Sequence, residues 1–144
     1  MLMNFDNSLE GGVLVNSQMK KIILVEDDPA IIDIYQTLMK KAHFDVRVIS
    51  LGQEVINMIK NIERGEEAKP DIILLDLILP DINGIEVFKE IKKNKKTKDI
   101  KVFILTNQQD VQSQQLGDVK PDKFIIKANI SPTQLLELIK EYSS

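Results

Sequence analysis

Short apolar segments that alternate with helical segments constrain the fold of this chain more than any other feature of its sequence. Four of the segments are runs of Ile, Leu, Val and Phe, and one alternates apolar with polar residues, as a half-exposed strand does. Strands that alternate with helices form parallel sheets with helices on both faces. Right-handed crossovers then predict an α/β fold, a doubly wound five-stranded parallel sheet with five helices. The predicted strands are 22–25, 44–49, 72–75, 102–105 and 124–126.

The regular part of the chain, residues 20–142, is predicted to be one domain, and residues 1–19 a flexible N-terminal tail. The absence of Cys excludes disulfides and thiolate metal sites. A net charge of −3 argues against nonspecific nucleic-acid binding as the main task. The sequence shows no signal peptide and no apolar stretch of membrane-spanning length. We therefore expect a cytoplasmic protein that binds neither DNA nor membranes directly.

Polar side chains follow the buried strands of the predicted sheet. Glu26 and Asp27 follow the first strand, Asp76 the third, Thr106 the fourth and Lys127 the fifth. In a doubly wound sheet, ligands bind beyond the carboxyl ends of the strands, so we expect these residues to form one site. Clustered carboxylates repel one another unless a cation binds, and Mg²⁺ prefers such oxygen ligands. An Asp carboxylate is also a nucleophile toward phosphorus, which favours phosphoryl acceptance as the chemistry.

Four motifs in this order resemble response regulator receiver domains of two-component signalling, including the chemotaxis-type receivers. They are Ile-Leu-Val-Glu-Asp-Asp-Pro (23–29), Asp-Leu-Ile-Leu-Pro-Asp-Ile-Asn-Gly (76–84), Leu-Thr (105–106) and Phe-Ile-Ile-Lys (124–127). The resemblance extends over residues 20–142. It implies the flavodoxin-like receiver fold, with strand order 2-1-3-4-5.

The resemblance also implies roles for individual residues. Asp76 corresponds to the phosphoacceptor, which becomes an aspartyl phosphate. The carboxylates of Glu26, Asp27 and Asp76 correspond to the side chains that hold Mg²⁺, together with the backbone carbonyl of Ile78. An apolar Ile78 offers no hydrogen bond to an attacking water, which predicts slow hydrolysis of the phosphate.

Three further positions correspond to residues that detect the phosphate. Thr106 and Lys127 correspond to the side chains that bind the phosphoryl oxygens. Thr106 and Phe124 correspond to the switch pair, in which the aromatic ring turns inward when the hydroxyl moves.

The resemblance implies a histidine kinase or phosphotransfer protein as the phosphoryl donor, and a signalling protein, not an enzyme. We expect no output domain after Tyr142, and therefore a stand-alone regulator that signals by phosphorylation-controlled binding of a downstream protein or by phosphorelay. A homodimer through the fourth and fifth predicted helices (residues 108–117 and the helix after Ser131) is a further expectation.

Three departures from the family pattern bear on the switch. Ala128 follows Lys127 where the family usually has Pro, and a trans bond is expected there. Asn107 follows Thr106 where a small residue is usual, so its amide would crowd the phosphate pocket or donate a hydrogen bond to it. Residues 117–121 replace the usual Gly-Ala turn. Ala128 and Asn107 favour the alternative function of a degenerate receiver, an interaction module independent of phosphorylation.

A magnesium-dependent phosphatase with an Asp nucleophile is the third function considered. Such an enzyme needs a second carboxylate two residues after its nucleophile. Ile78 stands in that place after Asp76, which argues against this function.

Overall fold

A five-stranded parallel sheet forms the centre of this computed structural model, which describes residues 9–10, 13–14, 19–107 and 116–143. Two short antiparallel strands precede the sheet, β1 (Leu9–Glu10) and β2 (Val13–Leu14). The flexibility of the tail stays a prediction. The sheet consists of β3 (Lys21–Val25), β4 (Asp45–Ile49), β5 (Ile72–Leu75), β6 (Lys101–Thr106) and β7 (Lys123–Ile126).

The strand order is β4-β3-β5-β6-β7, and all neighbours in this sheet are parallel. Counted along the chain from β3, this is the order 2-1-3-4-5, so the predicted fold is confirmed. Its switch point lies at β3 and β5, because the chain crosses from one side of β3 to the other between β4 and β5.

Helices cover both faces of the sheet and bury its apolar side chains. The four α-helices of the described residues are α1 (Pro29–Lys41), α2 (Gly52–Glu63), α3 (Gly84–Lys93) and α4 (Pro132–Ser143). Side chains of α2 and α3 pack in one apolar cluster with Ile23 and Val25 of β3. Side chains of α1 and α4 pack in a second cluster with the alternate residues Ile22 and Leu24. This alternation follows from strand geometry, in which successive side chains point to opposite faces.

Local sequence sets the ends of these helices. The Asp28 carboxylate accepts hydrogen bonds from backbone N–H groups of the first turn of α1, as an N-cap does. Ser131 and Gln134 form a reciprocal capping box at the start of α4. His43, just beyond α1, has a φ of 68°, the left-handed conformation that often ends a helix.

The helix predicted over residues 108–117 falls mostly on 108–115, which lie outside the described residues. Leu116, predicted as one of its apolar anchors, is buried against the cluster of α2 and α3. No described peptide bond is cis, so the bond between Lys127 and Ala128 is trans, as expected. None of the described helices is both long and apolar enough to cross a membrane.

Candidate functional site

The backbone brings Glu26 and Asp76 to the same edge of the sheet. Asp76 donates its backbone N–H to the carbonyl of Val25 at 3.1 Å, and Glu26 donates its own to the carbonyl of Ile49 at 3.1 Å. These two bonds extend the pairing of β3 with its neighbours beyond the ends of the strands. The two acidic residues are therefore held side by side at the switch point.

Three carboxylates meet at this edge. One oxygen from each of Glu26, Asp27 and Asp76 lies within 4.8 Å of the others. Glu26 and Asp76 are buried, with 2% and 7% of their surface exposed, whereas Asp27 is exposed. Glu26 Oε2 accepts hydrogen bonds from the backbone N–H groups of Asp27 and Asp28. The cluster thus has two fixed oxygens inside the protein and one that faces solvent.

Lys127 supplies the positive charge of the site. It lies in a single 3-10 turn, Lys127–Asn129, directly after β7. Its Nζ donates to Glu26 Oε1 at 2.5 Å and to Asp76 Oδ2 at 2.7 Å, and its side chain is 8% exposed. Burial lowers the pKa of Lys127, but hydrogen bonds and charge attraction from Asp76 and Glu26 outweigh burial and raise it above its ordinary value. The ammonium therefore stays charged between two buried carboxylates.

The loop after Asp76 is hydrogen-bonded back to the Asp76 carboxylate. Asp76 Oδ1 accepts a hydrogen bond from the backbone N–H of Ile78 at 3.0 Å. Ile78 is 54% exposed. Gly84 closes the loop by donating its N–H to the carbonyl of Leu77 at 2.9 Å. The predicted role of the Ile78 carbonyl as a metal ligand stays a prediction.

Thr106 and Phe124 lie on the neighbouring strands β6 and β7. Thr106 is the last residue of β6 and is fully buried. Phe124 in β7 pairs with Ile104, two residues before Thr106, and its half-buried ring packs against the cluster of α2 and α3. The two side chains thus stand on neighbouring strands, and their predicted switching stays a prediction.

Two contributors to the site's geometry were not anticipated from the sequence. Asp81, in the loop after Asp76, accepts hydrogen bonds from the backbone N–H groups of Gly52 and Gln53, and so caps α2. These N–H groups, Gln53 first, lower the pKa of Asp81. Tyr35 of α1 is buried close enough to the site that Lys127 and Glu26 act on it, although burial is the main reason that its pKa is raised.

The side chain of Asn107 contacts the turn after β7. Its side-chain Oδ1 accepts a hydrogen bond from the backbone N–H of Ala128 at 3.1 Å, a partner that the sequence did not indicate. Both residues are exposed. Two of the noted departures therefore contact each other.

The residues present fit a hard divalent cation. All three acidic groups offer oxygen atoms, the ligand type that Mg²⁺ and Mn²⁺ prefer. Glu26 and Asp76 are buried and Asp27 is open to solvent, which suits an ion that retains several water ligands. Lys127 balances part of the negative charge of the site.

A family model described as the response regulator receiver domain matches residues 22–140. The chain belongs to this family. Receiver domains are signalling domains, and they bind a divalent ion at an acidic pocket such as this one.

Two curated relatives of this receiver domain are transcriptional regulators. The DNA-binding dual master transcriptional regulator RpaA of Synechocystis is 32% identical over 110 residues, which are 76% of this chain and 43% of RpaA. The alkaline phosphatase synthesis transcriptional regulatory protein PhoP of Bacillus subtilis is 36% identical over 76 residues, 53% of this chain and 29% of PhoP. The chain thus spans less than half the length of both.

Solved receiver structures share the fold over most of their length. The phosphorylated cyanobacterial phytochrome response regulator RcpA has a TM-score of 0.69 and 30% identity, and the match covers 85% of this chain and 90% of RcpA. The Mn²⁺-bound form of the response regulator Rcp1 has a TM-score of 0.70 and 26% identity, with 87% and 92% covered.

Proposed function

We propose that this receiver domain accepts a phosphoryl group on Asp76, with Mg²⁺ bound, from a histidine kinase or phosphotransfer protein. The observation that carries the proposal is the buried Lys127 ammonium, 2.7 Å from Asp76 and 2.5 Å from Glu26, whose carboxylates cluster with that of Asp27. The phosphoryl group carries negative charge on its oxygens. The Lys127 ammonium next to Asp76 would attract these oxygens and stabilise the transfer.

The proposed transfer is a displacement at phosphorus. An oxygen of Asp76 attacks the phosphorus of a donor phosphohistidine and forms a P–O bond. The P–N bond breaks, and its electron pair remains on the imidazole nitrogen of the donor. Lys127 then pairs with a phosphoryl oxygen, and the Thr106 hydroxyl binds another.

Mg²⁺, when bound, neutralises charge on the phosphoryl oxygens as they approach. Glu26, Asp27 and Asp76 would hold it, with Asp27 the more accessible of the acidic pair. The backbone carbonyl of Ile78 would complete the protein ligands. The Mn²⁺-bound relative supports a divalent ion in receivers of this kind.

Phosphorylation would then control partner binding or pass the phosphoryl group onward in a relay. Thr106 and Phe124 would carry the change through β6 and β7 to the neighbouring surface. α4 and the helix predicted from the sequence over residues 108–117 are the proposed contact elements for a downstream protein or a second copy. A cytoplasmic location belongs to the same proposal.

A phosphoryl mimic tests the proposal directly. Backbone amide shifts should be followed by NMR while beryllofluoride is added in the presence and absence of Mg²⁺. We expect Mg²⁺-dependent shifts near Asp76, Thr106 and Phe124. The matched control is Asp76→Asn, which keeps the size of the side chain and removes the nucleophilic carboxylate, and which should not respond.

A folded wild-type protein without any Mg²⁺-dependent response would overturn the proposal. It would favour the alternative of a degenerate receiver that binds partners independently of phosphorylation. An Asp76→Asn variant that responds like the wild type would show that another residue is the acceptor.

A further inference from the structure

A hydrogen bond outside the carboxylate cluster joins the ends of two strands that supply site residues. Asn107 Oδ1 accepts the backbone N–H of Ala128 at 3.1 Å. Asn107 comes directly after Thr106, and Ala128 directly after Lys127. One contact thus connects the neighbours of two predicted phosphate ligands.

This bond continues the pairing of the sheet by one step. The register of β6 with β7 ends at Thr106 opposite Ile126. Beyond that pair the chain turns into Lys127–Asn129, and the backbone N–H of Ala128 no longer has a strand carbonyl opposite it. The side chain of Asn107 supplies the acceptor where the strand no longer does.

The hydrogen bond between Asn107 and Ala128 affects the position of the Lys127 ammonium. Lys127 spans from β7 to two carboxylates that follow β3 and β5, so its backbone must be fixed for Nζ to reach both. On one side β7 holds it, since Ile126 is paired with Thr106. On the other side, the Ala128 N–H is bound to Asn107.

We infer that Asn107 is a positioning residue, which holds the turn after β7 so that Lys127 is directed at Asp76 and Glu26. The inference rests on the proposed function only where a phosphoryl group is concerned. It also makes a prediction about Mg²⁺ alone, because the Lys127 ammonium and the metal would compete for the carboxylates of Glu26 and Asp76.

Asn107→Ala should therefore change two affinities in opposite directions. Mg²⁺ should bind more tightly, because a loosened Lys127 competes less for Glu26 and Asp76. Beryllofluoride with saturating Mg²⁺ should bind more weakly, because Lys127 is less well placed to contact it. The loss of one exposed hydrogen bond corresponds to a change of about two- to fivefold in each affinity. A merely structural defect would weaken both.

A double-mutant cycle assigns the effect to this bond. Ala128→Pro removes the N–H donor, and Ala128→Gly is the matched control that keeps it. In the Ala128→Gly background, Asn107→Ala should change the affinities for Mg²⁺ and beryllofluoride as much as it does in the wild type. In the Ala128→Pro background, Asn107→Ala should change neither affinity. Affinities are measured by NMR titration of the folded protein, with Mg²⁺ alone and then with beryllofluoride added.

The outcomes separate the inference from the proposed function. If Asn107→Ala leaves Mg²⁺ affinity unchanged or lowers it, or acts equally when combined with Ala128→Pro, the inference is overturned. If the wild type fails to bind beryllofluoride but the Mg²⁺ results are as expected, the proposed function fails and the role of Asn107 stands. Should Ala128→Pro not fold, amide hydrogen exchange at Ala128 decides, because unchanged protection in Asn107→Ala contradicts the bond.

Discussion

Replacing Gly84 by alanine should destabilise the protein, because there is no room for a side chain at the start of α3. A Cβ at Gly84 would lie 2.4 Å from the Cα of Leu77, 2.6 Å from the carbonyl oxygen of Asp76 and 2.8 Å from that of Leu77. All three atoms belong to the backbone of Asp76 and Leu77. The clash is therefore relieved only if the loop that carries Asp76 moves.

The expected loss in the free energy of unfolding depends on which atoms must move to make room for the Cβ. Overpacking against a rigid neighbour costs typically 1–3 kcal/mol, and backbone contacts this short place Gly84→Ala near the upper end, at roughly 3 kcal/mol. A gain of up to about 1 kcal/mol in helix propensity offsets part of it. We predict a net loss of about 2 kcal/mol in the free energy of unfolding.

Two other glycines are matched controls. At Gly52 a Cβ would meet side-chain atoms of Ile82 at 2.4 and 2.9 Å, and a rotamer change there costs on the order of 1 kcal/mol. At Gly65 no atom lies within 4 Å of an added Cβ. Alanine there would cost about 1 kcal/mol because the residue has a positive φ of 76°. Gly84→Ala should therefore be the most costly of the three.

Urea unfolding followed by circular dichroism measures all three variants. Beryllofluoride affinity of the folded Gly84→Ala protein should also fall, because the loop around Asp76 has shifted. A Gly84→Ala variant as stable as the wild type, or more stable than Gly52→Ala, would refute the reasoning.

Three further predictions concern other positions. The pKa of Asp81 is lowered in the folded protein, so its contribution to stability is present above the ordinary carboxyl pKa and is lost as pH falls through the folded value. Asp81→Asn should therefore lower the urea midpoint at pH 7, with a gap from the wild type that closes below about pH 4, and a pH-independent gap would contradict this. His43→Gly should raise the free energy of unfolding by up to about 1 kcal/mol, since glycine adopts a φ of 68° without strain, and a lower urea midpoint would contradict it. Once loaded, the wild type should release phosphate slowly beside the apolar Ile78, and Ile78→Asn should release it faster; loss from the wild type within seconds would be the contrary result.

The fold was predictable because each strand carries its signal locally. Runs such as 22–25 and 72–75 are apolar throughout, and the structure buries both on both faces. The half-exposed second strand also has the predicted alternation, with Val46 buried between exposed neighbours. The order of the strands followed from resemblance and crossover rules, since no local signal specifies it.

The sequence predicted which residues come together at the site, but it did not predict the hydrogen bonds of the surrounding loops. The carboxyl ends of parallel strands meet whatever the loops do, which brings Glu26, Asp76 and Lys127 together. The bond from Asp81 to Gly52 joins residues 29 apart through the shape of two loops, and no pattern in the sequence marks it. The same holds for Asn107, whose partner depends on the turn after β7.

The most direct test of the central claim is to locate a phosphoryl group on the protein. The wild type is loaded with a small-molecule phosphodonor and Mg²⁺, reduced with borohydride, which converts an aspartyl phosphate to homoserine, and mapped by peptide mass spectrometry. We predict reduction at residue 76 alone, dependent on Mg²⁺ and absent from Asp76→Asn. Reduction at another carboxylate, or none in a folded and metal-loaded protein, would contradict Asp76 as the phosphoacceptor.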